Sequence, residues 1–276
     1  MKNSLAAAIN SFDRVIISGG SSGIGAALIR QLLILGPDLA FCNLSRSSPE
    51  IEGVGDRLTA ISCDLADSSS TESAVEGCRE WIRETDHGKR ILLINNSGFG
   101  CYGVFPAPNT DRNLEMLDVN VRGPVWLTGA LANDLLKTKG AVMNIASTAS
   151  FQPTPFLSAY GATKAFLLHW SLALSDEWRA DGVQVLCVCP GPTETAFFRA
   201  AGFEEAPLKK GSGQTAEEVA DISLRALAKG KSLVTCGFGN KTMAALSSKL
   251  PKTWITRGTG ILMRKLRLER HQKPVE

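Results

Sequence analysis

The sequence predicts an α/β fold: a doubly wound parallel sheet of about seven strands, covered by helices on both faces in three α/β/α layers. Two observations carry this expectation. Short runs rich in Val, Ile, Leu and Cys alternate with longer helical stretches along the chain. The short runs are also nearly continuous in apolar residues, as strands buried on both faces of a parallel sheet must be. The 276 residues, 44% hydrophobic and 21% charged, are enough to bury a large core.

The elements follow in order. Arg14–Ser18 is the first strand and runs through Ser18-Gly19-Gly20-Ser21-Ser22-Gly23-Ile24-Gly25 into an apolar helix, Gly23–Leu35. Strands Leu39–Leu44 and Leu58–Cys63 precede a helix at Ser70–Thr85, and strand Ile91–Asn95 precedes a long helix at Asn109–Leu136. Strand Ala141–Ala146 leads to helix Pro155–Ala180, and strand Val183–Val188 to helix Ala216–Ala228. Thr215 followed by Glu218 marks the start of that last helix as a capping box, and Ser232–Thr235 is the seventh strand. No shift in composition precedes residue 240. Residues 1–239 are therefore expected to form one domain and 240–276 a basic amphipathic extension.

Composition excludes several classes. Residues 251–276 hold seven lysines and arginines against two glutamates, so the remainder is slightly acidic and offers no nucleic-acid surface. The longest apolar runs, Ile91 to Ile94 and Val183 to Val188, fall far short of the roughly 18 residues needed to span a bilayer. The apolar patch Leu5 to Ile9 is too short for a signal-peptide core, and a cytoplasmic location is expected. Cysteines 42, 63, 78, 101, 187, 189 and 236 show no paired spacing; Cys187 and Cys189 share one strand face, but no histidine or second pair accompanies them. No metal is expected, and reduced thiols suit the cytoplasm.

The glycine-rich turn is a candidate phosphate site. Gly19, Gly23 and Gly25 permit positive φ and close approach of a ligand, while Ser21, Ser22 and Ile24 lie where a helix N-terminus offers free N–H groups to a pyrophosphate. The same turn contains Gly19-x-Ser21-x-Gly23, the nucleophile elbow of a serine hydrolase. That alternative is weak, because the elbow follows one strand only and because His87, His169 and His271 lie in a charged turn, mid-helix and in the basic tail.

A second constellation lies later. Tyr160 and Lys164, at i and i+4 on a helix, share a face, and a nearby cation favours the phenolate, moving tyrosine towards acid/base work at ordinary pH. Ser147 ends the strand Ala141–Ala146, where an open sheet presents its ligand crevice and a hydroxyl can hold a substrate oxygen.

Taken together, these residues resemble a classical short-chain dehydrogenase/reductase. The matching pieces are Ser18-Gly19-x-x-x-Gly23-Ile24-Gly25, Asp64-Leu65, Asn95-Asn96-Ser97-Gly98, Asn120 in Asn120-Val121-Arg122-Gly123, Ser147, Tyr160-x-x-x-Lys164 and Pro190-Gly191-Pro192-Thr193-Glu194-Thr195. They keep the family order over roughly residues 14–236; Ser18 and Ser97 replace the more usual Thr and Ala. The resemblance implies a Rossmann fold, a nicotinamide cofactor and hydride transfer between a carbonyl and a secondary alcohol. It implies that Tyr160 exchanges the proton, that Lys164 lowers its pKa and holds the nicotinamide ribose, that Ser147 binds the reacting oxygen, and that Asn120 anchors a relay water. A family member that binds nucleotide as a regulator without turnover is the alternative, against which an intact Ser147, Tyr160 and Lys164 argue.

The second strand ends Ser45-Arg46-Ser47 with no acidic residue to bind ribose hydroxyls, so Arg46, helped by Ser45 and Ser47, is expected to pair with a 2′-phosphate and select NADP(H). Asp64 and Leu65 are expected to meet the adenine, Asn96, Ser97 and Gly98 to pass its ribose, and Pro190, Gly191, Thr193 and Thr195 to complete the cofactor site. Phe99 to Phe105, Phe151 to Phe156 and a lid at 192–214 with Phe197, Phe198 and Phe203 should ring a lipophilic small-molecule substrate.

Helices Asn109–Leu136, with Trp126, Leu131 and Leu135, and Pro155–Ala180, with Phe166, Trp170 and Leu174, are apolar on more than one side, and the resemblance implies pairing through them as a homodimer or homotetramer. In the tail, Trp254, Ile255, Leu262, Met263 and Leu266 are expected on one side of a helix interrupted by Gly258 and Gly260, with Arg264, Lys265, Arg267 and Arg270 largely on the other. Packing of the apolar side on the subunit or its partner near the lid is the expectation, and weak membrane-surface contact the alternative.

Overall fold

The computed structural model describes residues 2–84, 88, 90–195, 197 and 213–265. A seven-stranded, wholly parallel sheet runs through it in the order β3-β2-β1-β4-β5-β6-β7. The strands are β1 (Phe12–Ser18), β2 (Ala40–Ser45), β3 (Leu58–Ser62), β4 (Arg90–Asn95), β5 (Ala141–Ile145), β6 (Gln184–Cys189) and β7 (Leu233–Thr235). β1, β4, β5 and β6 are buried almost throughout, as their apolar runs require. β3 is not: it alternates between half-buried and exposed, because it is the edge strand and its outer face meets solvent.

Helices α1 (Lys2–Ile9), α2 (Gly23–Leu35) and α8 (Ala216–Ala228) cover one face of the sheet, and α3 (Ser68–Glu84), α5 (Gly123–Ala130), α6 (Ala132–Lys137) and α7 (Ser158–Glu177) cover the other. The three-layer Rossmann architecture is thereby established. α1 had no counterpart among the expected elements; its Leu5 and Ile9 are core residues packed with Phe12 and Leu32. The expected capping box is present: Thr215 Oγ1 accepts from Glu218 N at 3.1 Å, and Glu218 Oε2 accepts from Thr215 N at 3.0 Å. Such a cap is worth about 1 kcal/mol.

The long helix expected over Asn109–Leu136 is broken into three. α4 (Thr110–Leu117) is followed by a π-helical turn at Asp118–Arg122, then α5, then a second break at Leu131 before α6. Pro124 is the physical reason for the first break, since it has no N–H to give the Asn120 carbonyl. The helix expected at Pro155–Ala180 begins only at Ser158, after a 3₁₀ turn at Thr148–Phe151 and a left-handed Phe156 at φ 65°.

Residues 238–265 fold back as α9 (Phe238–Lys249) and α10 (Lys252–Lys265). Gly258 and Gly260 do not interrupt α10. Gly260 lies against Pro155, where a β-carbon would sit 3.4 Å from the proline ring, at ordinary contact distance. Among the described residues, no helix is long and apolar enough to cross a membrane.

Candidate active site

The strand order reverses between β1 and β4, so their C-terminal ends diverge and leave a crevice. It encloses about 700 Å³. At one end is the glycine turn. Gly19 has φ 71°, and a β-carbon there would lie 2.8 Å from Ser97 Oγ; at Gly25 it would lie 2.2 Å from the Gly19 carbonyl oxygen. Only glycine fits either position. Ser18 and Gly25, both expected to face the cofactor, instead shape this turn from beneath: neither lines the crevice, and Ser18 Oγ accepts from the N–H groups of Asn96 and Ser97 at 3.1 Å each. The Asn96 side chain donates to the carbonyls of Ser18 and Gly19 at 3.2 and 2.8 Å.

Gly19, Ser21, Ser22, Gly23 and Ile24 line this end, together with Ser45, Arg46 and Ser47 after β2, Asp64 and Leu65 after β3, and Asn96, Ser97 and Gly98 after β4. Ser22 caps α2 in extended conformation, and its side chain makes no cap bond. Asn43 orders the neighbouring loop, since its Oδ1 accepts from Gly20 N at 2.8 Å and its Nδ2 donates to Ser45 Oγ at 2.7 Å. These features fit a dinucleotide: a glycine turn at a helix N-terminus for the pyrophosphate, and an exposed Arg46 with no acidic neighbour beside it.

At the other end β5, β6 and α7 bring Ser147, Tyr160 and Lys164 together, with Pro190, Gly191, Thr193 and Thr195 alongside. Tyr160 stands beside Ser147, whose hydroxyl favours the phenolate, and Ser147 Oγ accepts from Ala149 N at 3.1 Å. Lys164 Nζ donates to the Ile145 carbonyl at 2.9 Å and stands 5.9 Å from the centre of the Tyr160 ring. Burial dominates both titrations. It pushes Tyr160 up to about 12, with the Ser147 hydroxyl pulling the other way, and it pulls Lys164 down to about 8 against the opposite influence of Cys187 and Cys189. The tyrosine pKa, expected to be lowered, is raised instead, because desolvation by burial exceeds the pull of the Ser147 hydroxyl.

Asn120 is fully buried in the π turn and does not line the crevice. Its Oδ1 accepts from Phe99 N at 3.1 Å, and its Nδ2 donates to Phe99 O at 2.9 Å and Thr163 Oγ1 at 3.1 Å. The amide therefore ties the loop after β4 to α7. A β-carbon on Gly98 would lie 3.0 Å from Asn120 Oδ1 and 3.2 Å from Lys164 Nζ, so these groups crowd the one backbone position between them.

Beyond Tyr160 the crevice is mostly apolar, with the Arg112–Glu115 ion pair also on its wall and the Arg112 guanidinium 4.0 Å over the Phe99 ring. Phe99, Cys101, Met116, Leu157 and Tyr160 form a cluster joined by Tyr102, Phe197 and Met263, and the Phe197 ring sits 5.4 Å from that of Tyr160. Burial and the neighbouring Tyr160 raise the Tyr102 pKa. Of the expected aromatics, Phe99 and Phe197 line the crevice, Phe105 is exposed, and Gln152, Thr154 and Leu157 take the place of Phe151 and Phe156. Phe198, Phe203, His87 and the lid residues 196 and 198–212 lie outside the described residues, as do Leu266, Arg267, Arg270 and His271. Leu262 and Met263, of the apolar side of the tail that was expected to pack near the lid, also line the crevice, as does Met243, which no sequence signal singled out.

No histidine is among the described lining residues, so among these Ser21 meets no partner of the kind a hydrolase needs. Among the described residues, no cluster of three His, Cys, Asp or Glu could hold a metal. Leu131, Leu135 and Leu174, expected at a subunit interface, are buried in the chain's own core. Leu114, Leu117, Val125, Phe166 and Leu172 are the large apolar side chains left exposed on α4, α5 and α7.

A family model described as short chain dehydrogenase matches residues 13–206. Serine 3-dehydrogenase of Agrobacterium fabrum is 32% identical over 219 residues, covering 75% of this chain and 84% of the relative. Very-long-chain 3-oxoacyl-CoA reductase of Neurospora crassa is 33% identical over 192 residues, covering 67% of this chain and 57% of the relative. A short-chain dehydrogenase from Sphingobium yanoikuyae, solved in complex with NADPH, shares the fold with a TM-score of 0.72 at 24% identity over 87% of this chain and 97% of that one. A glycine turn, a Ser-Tyr-Lys cluster on β5 and α7, and a family match that spans both make this chain a member of the short-chain dehydrogenase family.

Proposed function

We propose that this protein is an NADP(H)-dependent oxidoreductase acting on a carbonyl or secondary alcohol of a lipophilic small molecule. The observation that carries the reading is the convergence of Ser147, Tyr160 and Lys164 on one end of a crevice whose other end is a glycine turn and Arg46. The cofactor would be held by the N-terminus of α2 with Gly19, Ser21, Ser22, Gly23 and Ile24, by Ser45, Arg46 and Ser47 at a 2′-phosphate, by Asp64, Leu65 and the Asn96–Gly98 backbone at the adenosine, and by Lys164, Pro190, Gly191, Thr193 and Thr195 at the nicotinamide end. Bound there, it supplies or accepts the hydride.

The chain's own part is positioning and acid/base work. With its pKa near 12, Tyr160 stays protonated at neutral pH and is ready to give its proton to a substrate carbonyl oxygen that Ser147 holds in place. The phenolate left behind is stabilised by the Ser147 hydroxyl and the Lys164 ammonium. Lys164, near 8, then exchanges protons with solvent close to working pH. Asn120 acts as a positioning residue, fixing Phe99 and α7, and would anchor a relay water.

Residues 1–239 would work as one catalytic domain, with 192–214 as its lid and 240–276 as an extension. Lipophilicity rests on Phe99, Tyr102, Leu157, Phe197, Leu262 and Met263 around the reacting end. The relatives' names, one a polar amino acid dehydrogenase and one a long-chain acyl reductase, do not choose between substrates. Pairing of two copies through α4, α5 and α7 would cover the apolar residues they expose. A cytoplasmic location fits seven buried cysteines carried as free thiols. The test is titration with NADPH and NADH, followed through energy transfer from tryptophan, then turnover on a panel of ketones of rising apolar size. Binding without turnover on any ketone or alcohol would favour the regulator; tighter NADH than NADPH would overturn the cofactor assignment.

A further inference from the structure

The outer surface of α9 and α10 is unlike the rest of the molecule. In α10 the inward side carries Thr256, Thr259, Gly260 and Met263, the last two against Pro155 and the Tyr160 cluster. Trp254 and Ile261, seven residues apart and so on one helix face, point the other way, with Trp254 68% exposed. In α9, Phe238 is 83% exposed and Leu246 59% exposed, and Leu250 follows in the link to α10. The expected division of the tail into an apolar and a basic side is therefore corrected: the apolar residues fall on both the packed side and the outer one.

Charge on this surface has one sign. Between Phe238 and Lys265 stand Lys241, Lys249, Lys252, Arg257, Arg264 and Lys265, with no aspartate or glutamate. Lys241, Lys249, Arg257 and Lys265 are exposed beside the apolar residues. Two such faces meeting in a symmetric pair would set cations against cations, whereas an anionic bilayer satisfies both the charges and the aromatic and aliphatic side chains. The same two helices line the apolar end of the crevice from their inner side, through Met243, Leu262 and Met263.

We propose that α9 and α10 form a docking surface for an anionic lipid bilayer, seating Phe238, Leu246, Trp254 and Ile261 at the acyl boundary and bringing the substrate end of the crevice to the membrane surface. Lipophilic substrates would then reach Tyr160 without crossing bulk water. The docking itself does not depend on the oxidoreductase reading, and neither Trp254 nor Ile261 lines the crevice.

The full chain is mixed with vesicles of phosphatidylcholine alone and of phosphatidylcholine with phosphatidylglycerol, at low and high salt, and partitioning is read by co-sedimentation and tryptophan emission. Each basic residue at an anionic surface strengthens partitioning about fivefold, so binding should be strong on the anionic vesicles, weak on the neutral ones and reduced by salt. Trp254→Glu with Ile261→Glu should lower it at least about tenfold while NADPH binding and thermal stability stay unchanged. Lys241→Glu with Arg257→Glu should lower it without touching the apolar residues. Equal partitioning on both vesicle types, or unchanged partitioning in both variants, overturns the proposal. So does a wild-type mass larger than that of Trp254→Glu/Ile261→Glu, which would show a second copy covering the face.

Discussion

Lys164 should weaken the apoprotein that it serves, and the effect has a predictable pH signature. Burial lowers its pKa from 10.5 to about 8 in the folded chain. Below pH 8 the folded state must carry a charge that its surroundings resist. As pH rises from about 8 towards 10.5 the folded lysine has lost its proton while the unfolded one still holds it, so the unfolded state binds more protons and stability rises. The interval corresponds to about 3 kcal/mol, an upper bound because the hydrogen bond to the Ile145 carbonyl and local relaxation reduce it. Lys164→Met removes the group while keeping most of its volume. Urea unfolding of wild type and variant, without cofactor, at intervals from pH 6 to 10 isolates this contribution, because every other titrating group is common to both. The difference in unfolding free energy should be flat below about pH 7.5 and move in favour of wild type by about 2–3 kcal/mol by pH 10. Parallel profiles between pH 8 and 10 would refute the assignment of a desolvated lysine.

Tyr160→Phe should cut turnover at least about a hundredfold while changing NADPH affinity by a few-fold at most, measured by steady-state kinetics and fluorescence titration; near-normal turnover in a folded variant would remove Tyr160 from the acid/base role. Arg46→Asp should shift preference from NADPH towards NADH by replacing a charge-assisted pair with repulsion, and an equal loss for both cofactors would make the loop structural. Gly19→Ala, forced into φ 71° and within 2.8 Å of Ser97 Oγ, should cost about 1–3 kcal/mol in stability and weaken NADPH binding; unchanged unfolding and titration curves would deny the close packing of the turn. Light scattering at micromolar concentration should give at least a dimeric mass, reduced to monomer by Phe166→Glu with Leu172→Glu if α7 is the contact.

Much of this molecule was legible because its signals are local. A parallel sheet announces itself in continuous apolar runs, and β1, β4, β5 and β6 fell within a residue or two of their expected bounds. The glycine turn and the i, i+4 pair Tyr160 and Lys164 were legible for the same reason. What failed was non-local. Periodicity carried one helix through Asn109–Leu136, but it says nothing of the amide Pro124 lacks, and the resulting π turn is what buries Asn120 against Phe99 and Thr163. β3, Leu-Thr-Ala-Ile-Ser, carries two hydroxyl residues in five, but its place at the sheet edge is given only by the strand order. Met243 reaches the crevice across more than eighty residues of sequence from Tyr160, a distance no helical pattern encodes. The upward shift of the Tyr160 pKa was hidden for a physical reason as well: sequence supplies the neighbours but not the depth of burial that outweighs the Ser147 hydroxyl.

Burying an ionisable lysine and a tyrosine beside each other demands rigid support, and the layer beneath them supplies it with neutral polar groups. Asn144 on β5 accepts from Asn95 Nδ2 on β4 at 2.7 Å and donates to Ser171 Oγ on α7 at 2.8 Å, and Ser171 in turn donates to the Leu167 carbonyl. Asn95 also donates to Thr128 Oγ1 on α5 at 3.0 Å. This chain crosses two strands and two helices inside an otherwise apolar core, where each bond is directional and a slip of one residue would leave buried groups unpaired. Apolar packing alone would tolerate such slippage far better. The network therefore fixes α7 in register against β5, and that register is what holds Tyr160 against Ser147 and Lys164 Nζ 2.9 Å from the Ile145 carbonyl. The precision of the candidate site is set one layer below it, by asparagines and a serine that never meet a ligand.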